Sequence, residues 1–369
     1  MDNTHLANPS PEWLAFDAAH PERNINGIDT CEPSPATNPA AFRDAANAAK
    51  VASVRSLMVG TGLDSRVARR DFFVPARDGH MIPLRAYRFA GGGSSPSSSS
   101  SRPGLGADTE TERKGEPESG STTGKGAGKS QLPAAFVYLH GGGMLIGTQD
   151  TEDHICSIAA ELLREDDVVV LSVCYRHTPE FVFPVQHHDA ADAVAWILRR
   201  KNAEGVLGVD CERVVVGGLS SGGGLAVWAA LEVSQGVRSL RREGEGIMRG
   251  GGGDVGRIKG LALGMPWLVH RDAYPFGEWY SSSSDGGERK EKSSLVQCRG
   301  APIMPGERYD LFTDLLRVRG REDAQRFSVG LRDEEELRRL MPPTALLVCG
   351  WDMLRDEGIA FGEKLDRAG

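Results

Sequence analysis

Three apolar runs, each followed by a helical pattern, constrain this chain more than any other feature. Phe136-Val137-Tyr138-Leu139, Val168-Val169-Val170-Leu171 and Val214-Val215-Val216 are continuous rather than alternating. A strand that is apolar on both sides is covered on both faces. After the first run, Ile155, Ile158, Ala159, Leu162 and Leu163 recur at helical spacing. After the second, Ala190, Ala191, Val194, Ile197 and Leu198 form one stripe, and a further helix is expected over residues 221–233. This alternation predicts an α/β fold, with a mostly parallel central sheet and helices on both faces. Two later strands are expected at residues 258–263 and 344–349. Upstream, residues 71–75 and 81–88 read as strands joined by a turn at Asp78-Gly79. A helical pattern covers residues 39–58, and Trp13 and Phe16 fall in a short helix.

The third run ends in the residues that carry chemistry. Gly218-Leu219-Ser220-Ser221-Gly222 fits G-x-S-x-G, after an apolar strand and opening a helix. That turn exposes a serine hydroxyl, and glycines flank it where side chains would collide with strand and helix. The helix N-terminus favours negative charge developing nearby. The first run ends in His140-Gly141-Gly142-Gly143. Acyl transfer passes through an oxyanion that needs backbone N–H donors, and glycines let the backbone approach it. The glycines of this loop, with the N–H of Ser221, are the candidate oxyanion donors, and His140 is expected to orient the loop. Asp352 follows the last apolar run at its carboxyl end, where sites in such sheets lie.

These residues, with Tyr175-Arg176-His177-Thr178-Pro179-Glu180 and Asp352-Met353-Leu354-Arg355-Asp356-Glu357-Gly358, resemble the ordered signature of the hormone-sensitive-lipase family. The resemblance runs from about Asp71 to the end, apart from inserts. It implies an α/β-hydrolase sheet, a cap built from N-terminal residues and a later helical insertion, and carboxylic ester hydrolysis without a cofactor or metal. By the same resemblance, Ser220 is the nucleophile, Gly141, Gly142 and Ser221 form the oxyanion hole, and Asp352 is the triad acid. There are three departures from the pattern. Leu219 stands where an acidic residue is usual, Ser221 replaces an alanine, and His177-Thr178 replaces a more apolar pair.

The triad histidine should follow the acid. None of the residues after Asp352 is histidine. His187, His188 and His270 precede it and are not expected to replace the base. The expectation is therefore a chain that stops short of its last strand and base. The other reading is a non-catalytic small-molecule binder on the same fold, since the family includes hormone receptors that lost the histidine.

Residues 1–70 are expected to be an N-terminal cap segment and residues 71–369 the hydrolase core. Three segments interrupt that core: a disordered insert at 91–131, a Gly/Arg-rich loop at 236–256 and a cap insertion at about 268–325. The insert is rich in Ser, Gly, Pro and Glu, with Leu105 its one large apolar residue. Gly128-Lys129-Ser130 imitates a phosphate-binding loop, but its first glycine would have to be at Thr123. Tyr274, Phe276, Trp279, Tyr280 and Tyr309 are read mainly as cap packing.

Composition excludes other classes. A net charge of -8, spread along the chain, offers no basic stripe for nucleic acid. Cys31, Cys156, Cys174, Cys211, Cys298 and Cys349 form no C-x-x-C pair, so neither a zinc site nor a redox motif is indicated. No stretch of 18 apolar residues spans a membrane, and no cationic-apolar leader opens the sequence. The partner expected is a small ester, and the location expected is cytoplasmic.

Overall fold

Each apolar run forms a strand, and the strands share one sheet. The computed structural model describes residues 3–20, 37–90, 132–243, 255–275 and 293–369. The strands are β1 (Val67–Pro75), β2 (Met81–Phe89), β3 (Ala134–Leu139), β4 (Val168–Val173), β5 (Val214–Leu219), β6 (Ile258–Gly264) and β7 (Thr344–Leu347). Their order is β1-β2-β4-β3-β5-β6-β7. β1 and β2 form an antiparallel hairpin, and β2 lies antiparallel to β4. The pairings from β4 through β3, β5 and β6 to β7 are parallel. Crossovers between parallel strands place the intervening helices on the sheet faces.

The helices are α1 (Pro11–Ala19), α2 (Pro39–Thr61), α3 (Leu63–Arg66), α4 (Gln149–Leu162), α5 (Val185–Ile197), α6 (Arg200–Asn202), α7 (Ser221–Glu243), α8 (Ser294–Gln297), α9 (Gly306–Leu315), α10 (Gly320–Phe327), α11 (Glu334–Leu340) and α12 (Arg355–Ala368). Local chemistry sets several ends. Ser10 and Asn38 cap α1 and α2, each ahead of a proline in the first turn. Thr148 and Thr151 exchange hydrogen bonds to open α4.

One sheet face is covered by α2 and α4, where Val54, Met58, Cys156 and Ala160 pack on Tyr87 of β2 and Val170 of β4. The larger core lies on the other side, where α5 and α7 bury Val194, Ile197, Leu225 and Ala229 with Val137 and Val216. Among the described residues, no helix is long and apolar enough to cross a membrane.

Three boundaries differ from the sequence reading. β1 begins at Val67, four residues before the expected strand, so residues 67–70 pair with β2 in the sheet. α7 continues to Glu243, so the start of the segment 236–256 is helical rather than loop. Its Arg, Leu and Glu residues are good helix formers that outweigh Gly236. β7 stops at Leu347 because the chain turns away through Cys349-Gly350 towards Asp352. The insert at 91–131, most of the glycine-rich segment, Cys31, Phe276, Trp279 and Tyr280 lie outside the described residues. The other five cysteines are free thiols, and Cys156, Cys211 and Cys298 are buried like small apolar residues.

Candidate active site

The parallel strands align their carboxyl ends, which brings the candidate residues to one edge of the sheet. Leu219 of β5 pairs with Gly264 of β6, and Gly264 pairs with Leu347 of β7. Ser220 is the next residue after β5, and Asp352 lies on the loop after β7. Two strand spacings separate those strands, about 9–10 Å.

Ser220 sits between β5 and α7 with φ 53, a left-handed conformation rarely adopted by a residue with a side chain. Its backbone is clamped on both sides. Ser220 N–H donates to Gly264 O at 2.9 Å, while Ser220 O accepts from Gly223, Gly224 and Trp267 N–H. Its Oγ is buried and has no hydrogen-bond partner among the described residues. The flanking Gly222 is required by close approach, since a Cβ there would lie 2.0 Å from Leu139 O.

The His140–Gly143 loop follows β3 directly alongside. A Cβ on Gly141 would lie 3.5 Å from Ser220 Cβ, so the loop backbone runs against the serine. Gly143 has φ 63, and a Cβ on it would sit 2.0 Å from the Phe312 ring of α9. The loop is held by a fully buried His140, whose Nδ1 lies 2.8 Å from Gly141 O. Tyr175 stacks on that ring at 4.3 Å between centroids and donates its hydroxyl to His140 O at 2.7 Å. Burial holds the His140 imidazole below its ordinary range, with Glu152 opposing. From α2, Asn47 accepts Gly147 N–H and Lys50 pairs with Glu152. A cleft of about 440 Å³ opens against Gly141 and Gly142, walled by Val54, Leu57, Ile155 and Leu219. Leu219, at the position where the family pattern has an acid, is thus part of an apolar wall.

Asp352 Oδ1 accepts Leu354 N–H at 3.0 Å. Burial raises the carboxyl above its ordinary range, opposed by that N–H and by the charge of Arg355. His187 is enclosed by Phe183, Trp228 and Phe327, while His270 Nδ1 accepts Asp272 N–H. Neither hydrogen-bonds to Ser220. Tyr274 and Tyr309 are buried, and Tyr309 packs against Trp267.

The sequence reading missed the grip on this edge exerted by three consecutive fully buried charges, Arg355, Asp356 and Glu357. Arg355 donates to Gly350 O and Gln297, and Asp356 accepts Ser294 N–H from α8. Glu357 accepts the N–H groups of Leu268 and Val269. Three consecutive charges opening the helix shortly after the acid, ahead of the apolar stretch Gly358-Ile359-Ala360-Phe361, were the available signal. One group of possible metal ligands occurs among the described residues, Glu204, Asp210 and Cys211. It precedes β5, at the opposite end of that strand from Ser220, and Glu204 is already paired with Arg200.

Residues 136–369 match the family described as alpha/beta hydrolase fold. The versiconal hemiacetal acetate esterase of Dothistroma septosporum is 28% identical over 241 residues, covering 65% of this chain and 63% of the relative. The ethyl acetate hydrolase of Pseudomonas putida is 32% identical over 164 residues, covering 44% and 39%. The chain thus spans less than two thirds of the length of these relatives. Among solved structures, a thermostable carboxylesterase cloned from a metagenomic library superposes with a TM-score of 0.55 at 26% identity. That match covers 90% of this chain and 84% of the other.

Proposed function

The chain belongs to the alpha/beta hydrolase fold family, and from that premise we propose that its site is built for serine-dependent hydrolysis of carboxylic esters. Ser220 is the nucleophile, Asp352 is the triad acid, and the N–H groups of Gly141, Gly142 and Ser221 receive the oxyanion. One observation carries the reading: Ser220 is held at φ 53 with its Oγ uncommitted, at the carboxyl end of a parallel strand and the start of a helix. A strained residue persists only where its surroundings over-determine it, and such residues concentrate at functional sites.

In this mechanism Ser220 Oγ attacks the ester carbonyl and loses its proton to a histidine base. The tetrahedral oxyanion is stabilised by the three backbone donors, each worth on the order of 100- to 1,000-fold in rate. Collapse expels the alcohol, and water then releases the acid by the same route. The acetate esters named for two relatives make short acyl groups the first substrates to examine. The cleft beside Gly141 and Gly142 joins an apolar wall of Val54, Leu57, Ile155 and Leu219 to the polar side chains of Lys50, Thr151, Glu152 and His154. Within residues 1–70, the part ahead of β1 acts as part of the cap, consistent with the contacts of α2 to the oxyanion loop and of Asn3 to Asp356. The free thiols fit a reducing compartment such as the cytoplasm.

The base is the member these residues do not supply. No histidine follows Asp352 in the sequence, and none among the described residues hydrogen-bonds to Ser220 Oγ. Loss of a triad member costs on the order of a millionfold, leaving about a thousandfold over water from binding and the oxyanion hole. The second reading, a non-catalytic binder of small ester-like molecules, is the one that needs no base, and no described histidine provides one to Ser220 Oγ. The test is turnover of p-nitrophenyl acetate and butyrate by the 369-residue chain and its Ser220→Ala variant. Only residual turnover is expected of both. Robust turnover that Ser220→Ala abolishes overturns the statement about the base and disposes of the binder.

A further inference from the structure

The inference concerns His177 and rests on the reading of Gly141 and Gly142 as oxyanion donors. His140 Nδ1 lies 2.8 Å from Gly141 O. A carbonyl oxygen only accepts, so Nδ1 carries the proton. A neutral imidazole has one N–H, and Nε2 of His140 is therefore a bare lone pair. That lone pair faces His177 Nε2 at 3.4 Å. The contact needs a hydrogen, and only His177 can supply it.

We propose that His177 is a positioning residue for the oxyanion loop: its Nε2–H donates to His140 Nε2, fixing the tautomer and ring orientation with which His140 holds Gly141 O. The consequence reaches the donors through the peptide plane. In a planar trans peptide, the Gly142 N–H points opposite to Gly141 O. A ring that fixes the carbonyl therefore aims the amide. Tyr175 Oη also lies 3.3 Å from Nδ1, but its single proton is given to His140 O at 2.7 Å, so it leaves the Nδ1 proton to Gly141 O. Tyr175 covers one face of the ring, and Gly147 packs so closely that a Cβ on it would lie 2.3 Å from Cε1 and Nδ1. Only neutral rings sustain the relay, because a second proton on His140 sets donor against donor. Burial holds both imidazoles below their ordinary range, His177 well below it, with the neighbouring His140 and Arg43 adding to the effect at His177. The sequence signal was the departure at 177 from an apolar residue.

Long-range proton–nitrogen spectra of the histidine rings in the full ¹⁵N-labelled chain test the relay directly. His140 is expected to be protonated on Nδ1 and bare on Nε2, and His177 to be protonated on Nε2. A proton on Nε2 of His140 overturns the proposal. Two variants test positioning, with butyrate as the probe and the Gly141 and Gly142 amide signals as the readout. His177→Leu removes the donor and is expected to weaken butyrate binding about tenfold, the scale of one hydrogen bond's net contribution. His177→Gln keeps an N–H at similar reach and is expected to stay within about threefold. It also serves if the leucine variant does not fold. Wild-type affinity and unmoved Gly142 signals in a folded His177→Leu overturn positioning. Butyrate that leaves the Gly141 and Gly142 signals unmoved in the wild type removes the oxyanion reading instead, and with it the positioning role, while the ring spectra still decide the tautomers.

Discussion

Glu357 accepts the backbone N–H of Leu268 at 2.5 Å, tying the first turn of α12 to the segment that follows β6. The same carboxyl takes Val269 N–H, and the preceding Trp267 N–H donates to Ser220 O. The helix that opens after the candidate acid is thus coupled to the backbone of the candidate nucleophile. Burial raises the Glu357 carboxyl well above its ordinary range. The sign follows: folding favours the protonated form, so this contribution is fully present below pH about 4.5. It is lost as pH rises through the raised folded value. Glu357→Gln keeps an acceptor and does not titrate. Urea unfolding at pH 5 and pH 8 is expected to show the glutamine variant gaining on the wild type at the higher pH. Glu357→Ala orphans two buried N–H groups, at about 1–3 kcal/mol each, and a smaller loss would argue that water replaces the carboxyl.

Which parts were legible in the sequence depended on how local their causes are. The turn at Ser220 is written in adjacent residues, because a strand, a tight turn and a helix start follow one another without a gap. The parallel sheet was legible for the same reason, from uninterrupted Val runs. Glu357 and Leu268 are 89 residues apart, and neither looks unusual alone. The His140–His177 contact crosses 37 residues and gains its meaning only from the tautomer that Gly141 O imposes. Burial of Tyr309 and Tyr274 agrees with the packing role read for those aromatics, since core placement follows from side-chain size more than from position.

Ser220 bears strain that glycine would relieve. A non-glycine residue in the left-handed region costs of order 1–3 kcal/mol, whereas glycine adopts it freely at an entropic cost of about 0.5–1 kcal/mol. Ser220→Gly is therefore expected to raise unfolding stability by about 1 kcal/mol, and Ser220→Ala to leave it nearly unchanged. Urea midpoints with unchanged m-values measure both. A destabilised glycine variant would mean that Ser220 Oγ makes a stabilising contact in solution.

The oxyanion loop and α9 leave no room for a methyl group at 143. Gly143 has φ 63, and an added Cβ would lie within 2.0–2.4 Å of three Phe312 ring carbons. Gly143→Ala is expected to destabilise by about 3 kcal/mol or more, combining overpacking of about 1–3 kcal/mol with backbone strain of similar size. Adding Phe312→Leu should recover the packing part and not the strain. Strictly additive losses in the double variant would show that the two residues do not meet.

His187 offers the cleanest acid sensitivity in the molecule. Phe183, Trp228 and Phe327 enclose it, and burial, aided by His188 and Arg326, pushes the imidazole down to about 3. Its unfolded counterpart titrates near 6.5, so between those values the unfolded chain binds the extra proton. Stability from this site is then present above pH about 6.5 and is lost as pH falls toward the folded value. At about 1.4 kcal/mol per pH unit, the loss between pH 6.5 and 5 is about 2 kcal/mol. His187→Phe keeps an aromatic ring in the cage and removes the titration. The variant is expected to lose about 2 kcal/mol less than the wild type between pH 7 and pH 5, measured by urea unfolding at each pH. Parallel pH profiles for the two proteins would mean that His187 is hydrated or paired in solution, contrary to its aromatic enclosure.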